Sequence, residues 1–205
     1  MVEYIDMEKI IAASGNKDKI KEIEAITRRF GMVVVSMKEA GILVDDIEEN
    51  GTTFEENSYI KAKTIWDISH KTTIADDSGL EVDYLDGAPG IYSARFAGED
   101  CNYTRNNEKL LGLLEGVPCD ERTARFVTVI TMILEDGEVI VARGECPGHI
   151  AEDFLGEGGF GYDPVFVPEG YSESFAQMGT DAKNRIGHRA RALEKLTELL
   201  TERGL

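Results

Sequence analysis

Basic residues are scarce in this chain. Twenty-two lysines and arginines stand against 39 aspartates and glutamates, a formal charge of −17 over 205 residues. So acidic a molecule is repelled by nucleic-acid phosphates and anionic lipid headgroups, which argues against nucleic-acid or membrane partners. Cysteine is scarcer still: Cys101, Cys119 and Cys146 are odd in number, far apart and form no C-x-x-C pair. His70, His149 and His188 are equally dispersed. Neither a disulfide framework nor a structural zinc site is expected, and a reducing, cytoplasmic setting is. No apolar stretch approaches the roughly eighteen residues of a membrane span. Met1–Lys9 carries three acids, one base and no apolar core, so no signal peptide is expected.

What is present suffices for one domain of 205 residues with a sizeable core, since 42% of the chain is hydrophobic. Lys9–Ala13 reads as a buried strand, Lys17–Phe30 as a helix, and Met32–Ser36 as a second strand after Gly31. Phe54–His70 reads as a helix that Thr52 or Thr53 can cap. Thr73–Ala75 is expected to be a short strand ending at Asp76-Asp77-Ser78-Gly79, and Asp86–Gly90 a turn. Asn102–Leu114 suggests a helix. Arg122–Glu135 and Glu138–Ile150 suggest strands joined at Asp136-Gly137, with a short strand at Pro164–Val167 and a closing helix at Ile186–Arg203. Strand–helix units followed by a hairpin predict an α/β fold with a mixed sheet.

Several segments carry candidate chemistry. Ser14-Gly15-Asn16-Lys17-Asp18-Lys19 turns from strand to helix, where backbone amides, the helix dipole and lysines favour a phosphate; an ordinary cap with solvated lysines fits equally. Asp76 and Asp77 are adjacent carboxylates after an apolar run. They suit a magnesium ion, which takes one or two carboxylates plus substrate phosphates, or else a capped turn. Glu48-Glu49 offers a further ligand or a solvated charge run. Gly156–Gly161 matches G-x-G-x-x-G, but Pro164 and the Val-Phe-Val run lead into a strand, so the dinucleotide fingerprint is rejected. The rings of Phe160-Gly161-Tyr162-Asp163 can stack on a base or pack in a core. Lys183, Arg185, His188, Arg189 and Arg191 gather four bases and a histidine within nine residues, facing either a ligand or solvent.

The order of these segments is more specific than any one of them. Ser-Gly-Asn-x-x-Lys-x-x-Glu (Ser14–Glu22) precedes Glu-Glu-Asn-Gly-x-x-Phe-x-Glu-Asn-x-x-x-Lys-Ala (Glu48–Ala62). Asp-Asp-Ser-Gly-Leu-x-Val-Asp (Asp76–Asp83), Gly-Ala-Pro-Gly-Ile-Tyr-Ser-Ala-Arg (Gly87–Arg95), Gly-Gly-Phe-Gly-Tyr-Asp-Pro-x-Phe (Gly158–Phe166) and His-Arg-x-x-Ala-Leu (His188–Leu193) follow. Over nearly its whole length the chain resembles the HAM1-like inosine/xanthosine triphosphate pyrophosphatases. Gly187 departs from the pattern, where bacterial relatives usually carry serine.

The resemblance implies an elongated, two-lobed α/β fold around a central mixed, twisted sheet, its lobes enclosing a substrate cleft, usually as a homodimer. It implies Mg2+-dependent hydrolysis of non-canonical purine triphosphates (ITP, dITP, XTP) to monophosphate and pyrophosphate. It assigns Ser14, Gly15, Asn16, Lys17, Asp18, Lys19, Ser78, Phe160, Gly161, Tyr162, Asp163, Lys183, His188 and Arg189 to the nucleotide. Glu48 and Asp77 match the magnesium ligands. Asp77 also matches the proton acceptor, Asp76 would tune its charge, and Lys61, one turn after Asn57, would lie beside them. A pyrophosphatase of pyrimidine or ordinary nucleotides, such as the Maf-like proteins, is the rival enzyme. A nucleotide sensor is the rival from another class.

Overall fold

The computed structural model describes residues 8–15, 17–28, 31–44, 47–98 and 101–204. β1 (Glu8–Ala12) pairs in parallel with β2 (Met32–Ser36) on one side, from Glu8 opposite Met32 to Ala12 opposite Ser36. On the other side it pairs in parallel with β3 (Thr73–Val82), Ile11 opposite Thr73. The crossovers are α1 (Lys17–Thr27) and α2 (Phe54–Ser69). Parallel neighbours require such crossovers, and the β-branched Val33-Val34-Val35 run, with Val34 buried and its neighbours half-buried, suits a packed strand. After α3 (Tyr103–Leu113), β4 (Thr123–Ile133) and β5 (Val139–Ile150) join through a turn at Asp136-Gly137, and β6 (Phe166–Pro168) adds antiparallel to β5. The sheet order is β2-β1-β3-β4-β5-β6, the mixed α/β arrangement expected.

Two expectations about elements need correction. β3 does not stop at Ala75 but runs ten residues, through Asp76-Asp77-Ser78-Gly79 to Val82. Aspartate disfavours strands, yet Lys19 and Lys61 lie against these carboxylates and offset their burial, so tertiary contacts override propensity. The closing helix is α6 (His188–Glu202), preceded by α4 (Phe175–Met178) and α5 (Thr180–Ile186), a stretch to which the sequence reading assigned no element before Ile186. Gly187 is extended (φ −72°, ψ 166°) and breaks α5 from α6, so Ile186 ends one helix rather than opening the next.

The chain divides into two compact units. One comprises the described residues up to Asp77, Val129–Gly144 and those from Ala192 onward. Its core joins Ile11, Ile42, Ala62, Ile65, Ala75 and Ile133. The other comprises Ser78–Thr128 and Glu145–Arg191. Its core centres on Leu80, Leu110, Leu114 and a ring cluster in which Phe166 lies 4.6 Å from Phe126 and 5.4 Å from Phe175. Arg122 is 5% exposed there and donates to the carbonyls of Leu114, Val117 and Ala151, holding the end of α3 against the start of β4 and the end of β5. A buried guanidinium is tolerated because its donors are spent on carbonyls. Among the described residues no helix is long and apolar enough to cross a membrane.

Candidate active site

In the first unit, α2 begins at Thr53, whose hydroxyl accepts the Glu56 amide; of the two threonines considered, Thr53 is the cap. One face of α2 buries Asn57 and Lys61, a turn apart. Asn57 Oδ1 accepts the Gly51 amide at 2.9 Å, which fastens the acidic loop to the helix. A Cβ on Gly51 would lie 2.7 Å from that oxygen, so this close approach requires glycine. Lys61 Nζ then donates to Glu49 Oε2 at 2.9 Å and to Asp77 Oδ1 at 3.0 Å. Of the acidic pair it is Glu49, half-buried, that reaches the lysine; Glu48 is exposed. The resemblance had matched Glu48 to the metal; the residue reading alone left Glu48 and Glu49 undistinguished.

Asp76 and Asp77 are both buried on β3, and Lys19 on α1 lies 3.3 Å from Asp76 Oδ2. Burial raises the Asp77 carboxyl above its ordinary value, a shift that the Lys61 and Lys19 ammoniums only partly reverse. Burial would lower Lys61, but Asp77, Asp76 and Glu49 outweigh it and hold the ammonium above the usual lysine value. Asp77 Oδ2 is buried and has no hydrogen-bond partner among the described residues. An open carboxylate oxygen beside a second carboxylate is a hard-oxygen donor set. Ser14 and Gly15 stand in the short connection from β1 to α1. Asn16 lies outside the described residues, as do the side chains of Lys17 and Asp18.

In the second unit, Lys183 on α5 donates to Asp163 Oδ2 at 2.8 Å, with side-chain exposures of 6% and 1%. The same oxygen accepts the Phe160 amide at 3.0 Å. Burial raises Asp163, opposed by Lys183 and by that amide. Gly159, at φ +76°, permits the turn, since a Cβ there would overlap the Asp163 carboxylate. The Lys183 ammonium lies 4.0 Å from the centre of the half-buried Phe160 ring. Tyr162 differs from Phe160: its ring is in the core and its hydroxyl donates to the Ser93 carbonyl at 2.8 Å. Of the two rings considered for stacking on a base, only Phe160 is partly open; Tyr162 packs.

His188 is 4% exposed and stacks face to face on Phe126, centroids 4.7 Å apart. Arg189 is 3% exposed; its Nη2 donates to Ser78 Oγ at 3.3 Å, and Ser78 Oγ bonds Thr128 Oγ1 at 2.9 Å. Burial lowers Arg189 to about 10, which leaves it cationic at neutral pH. Thus the basic stretch is not a solvent-facing helix start: Lys183, His188 and Arg189 turn inward, whereas Arg185 and Arg191 are exposed. Asp77 and Ser78 are consecutive on β3, one in each unit.

A model of the Ham1 family matches residues 10–199. The chain belongs to the Ham1 family. It is 52% identical over 200 residues to a dITP/XTP pyrophosphatase of Clostridium perfringens, covering 95% of this chain and 98% of that one. A dITP/XTP pyrophosphatase of Caldanaerobacter subterraneus is 48% identical, covering 96% and 98%. The solved structure of the Staphylococcus aureus Ham1 protein matches with a TM-score of 0.84 and 40% identity, over 96% of this chain and 100% of that one. These Ham1 relatives bear out the resemblance and the α/β class read from the sequence.

Proposed function

We propose that this Ham1-family chain hydrolyses non-canonical purine nucleoside triphosphates, dITP, ITP and XTP, to the monophosphate and pyrophosphate. The observation that carries this reading is the Lys61 ammonium held between Glu49 and Asp77 while the second Asp77 oxygen stays open. A sensor needs no such group, because binding alone requires no base. The dITP/XTP pyrophosphatase name of relatives near 50% identity supports the substrate class.

The divalent cation in this proposal is Mg2+, held by Asp77 and by Glu49 in place of the Glu48 first matched to it. When bound it would neutralise charge on the phosphates and the departing pyrophosphate. Asp77 orients the attacking water and accepts its proton. Lys61 holds the Asp77 carboxylate in place and offsets charge developing on the α-phosphoryl oxygens. Lys19 steadies Asp76, so that two adjacent carboxylates remain tolerable on one strand. Ser14, Gly15, Asn16, Lys17, Asp18 and Lys19, at the start of α1, bind the phosphates. Phe160, Gly161, Asp163, Lys183, His188 and Arg189 serve the base, Tyr162 through its main chain, and Ser78 lies beside the nucleotide.

We assign the enzyme to the cytoplasm, where the nucleotide pool is, and to a homodimer. The deciding experiment measures pyrophosphate release from a panel of triphosphates with and without Mg2+, in 18O-labelled water. Label in the monophosphate, with dITP, ITP and XTP preferred, is the expected result. Label in orthophosphate, or no turnover of any triphosphate, overturns the reading.

A further inference from the structure

α3 carries two successive asparagines with different duties. Asn106 is structural: its Oδ1 accepts the Ala97 amide at 2.7 Å and its Nδ2 donates to the Ser93 and Ala94 carbonyls at 3.3 and 3.0 Å. That side chain is fully used in holding the short helical stretch Gly90–Arg95. Asn107 is buried to the same degree, 2% exposed, but faces the glycine loop. Its Nδ2 donates to the Gly161 carbonyl at 2.9 Å. Its Oδ1 is buried with no hydrogen-bond partner among the described residues. Exchanging the two amide atoms would set oxygen against the Gly161 carbonyl, so the donor assignment follows from the contact itself.

An unpaired buried carbonyl is a cost that an apolar side chain of similar size would not incur. The site retains the amide nonetheless, and its only described hydrogen bond is the one to Gly161. One turn earlier on the same face, the Tyr103 ring lies 6.2 Å from the Phe160 ring. α3 therefore meets the loop at two consecutive residues: a ring against Phe160 and an amide on Gly161. Gly161 sits at φ +64°, directly between Phe160 and the core-packed Tyr162, so the orientation of its peptide sets where the Phe160 ring stands over the Lys183 ammonium.

We propose that Asn107 is a positioning residue for purine recognition: by holding the Gly161 carbonyl it fixes the Phe160 ring and the peptide beside it in the geometry that meets the base. This rests on the reading of Phe160–Asp163 as base-binding. Asn107 touches no reacting atom, so its effect falls on binding of the base and not on the phosphoryl step.

The test uses Asn107→Leu, which removes the donor, and Asn107→Asp, which keeps the size and turns the donor into a carboxylate oxygen. Wild type and variants are compared for KM and kcat on dITP with Mg2+, for IMP affinity by calorimetry, and for inhibition by inorganic pyrophosphate. The expected result is a rise of about tenfold in KM and in the IMP dissociation constant, the scale of one lost hydrogen bond. kcat should stay within about twofold and pyrophosphate inhibition should be unchanged. Wild-type IMP affinity in both variants overturns the proposal, as does an equal weakening of IMP and pyrophosphate. If Asn107→Leu fails to fold, Asn107→Asp decides by the same readings. A wild type that binds IMP but does not turn over dITP refutes the functional reading alone, and the IMP comparison still judges Asn107.

Discussion

Asn57 Oδ1 accepts the Gly51 amide at 2.9 Å, one helical turn before Lys61 reaches Glu49 and Asp77. A single face of α2 thus fastens the acidic loop and supplies the cation that its glutamate meets. Gly51→Ala places a methyl 2.7 Å from Asn57 Oδ1 and from Glu56 Cβ, which pushes the loop off the helix. Displacing Glu49 by about an ångström is expected to lower kcat/KM by about tenfold to a hundredfold and to raise the Mg2+ concentration for half-maximal rate. Thermal stability should fall little. Unchanged Mg2+ dependence in Gly51→Ala would show that the anchor does not govern Glu49.

Asp77→Asn keeps the shape of the side chain and removes the carboxylate charge. It should leave the circular dichroism spectrum intact and lower kcat by a few factors of ten or more, since the proton acceptor and the metal-facing oxygen go together. A variant within tenfold of wild type would take Asp77 out of the mechanism.

Burial raises Asp77 in the protein without metal, and this fixes the sign of a pH effect. Below the raised value the carboxyl is protonated, and proton and Mg2+ compete for the same oxygens. Mg2+ affinity should therefore rise with pH through a window above the ordinary carboxylate range and level off beyond it. Calorimetry in buffers of different ionisation enthalpy should detect proton release at the low end of that window and none at the high end. Lys61 is raised as well, so it stays charged throughout and adds no titration there. Absence of proton release at both ends would contradict the assignment.

Much of this was legible in the sequence, for identifiable reasons. The start of α2 carried a threonine cap signal, and Thr53 occupies that position. The Asp136-Gly137 turn and the crossover helices are local signals, so the mixed sheet followed. What sequence could not show depended on partners distant in the chain. Asp76 and Asp77 continue a strand because Lys19 and Lys61 meet them. Tyr162 is core because the Ser93 carbonyl takes its hydroxyl, whereas Phe160, two residues earlier, stays half-buried. Glu49 differs from Glu48 by the hydrogen bond it accepts from Lys61, a partner twelve residues away. Asn107 gave no signal, since an asparagine on a helix reads as surface until its neighbours are known.

The Lys183–Asp163 pair carries a stability prediction. Asp163→Asn leaves a buried ammonium without its carboxylate, which costs about 3–5 kcal/mol, and Lys183→Met strands the carboxylate likewise. The double variant, Asp163→Asn with Lys183→Met, strands neither charge and should recover most of the loss. Urea unfolding of the three variants measures this. A double variant as unstable as either single one would show that the pair matters through packing rather than charge.

If the proposed base-binding residues meet the base, base selection is expected to follow from the donors they present. Inosine and xanthine present a 6-keto oxygen, an acceptor, where adenine presents an amino donor. Arg189, at about 10, and the Lys183 ammonium can only donate, as can the loop amides. A keto base satisfies such a site, whereas adenine sets donor against donor and leaves buried groups unpaired. That mismatch can amount to several powers of ten in kcat/KM. Guanine shares the 6-keto oxygen, so its rejection depends on the 2-amino group and should be shallower. The expected order is ITP and XTP above GTP, with ATP and the pyrimidine triphosphates poorest. His188 is stacked on Phe126, so Arg189 and Lys183 are expected to dominate this order. The Asp163→Asn, Lys183→Met double variant is folded on the argument above and lacks one donor; it should show a smaller ITP-to-ATP ratio as well as a lower rate. Arg189→Met should do the same. A wild type that hydrolyses ATP as fast as ITP, or variants that keep the full ratio, would show that the base is chosen by something other than these two cations.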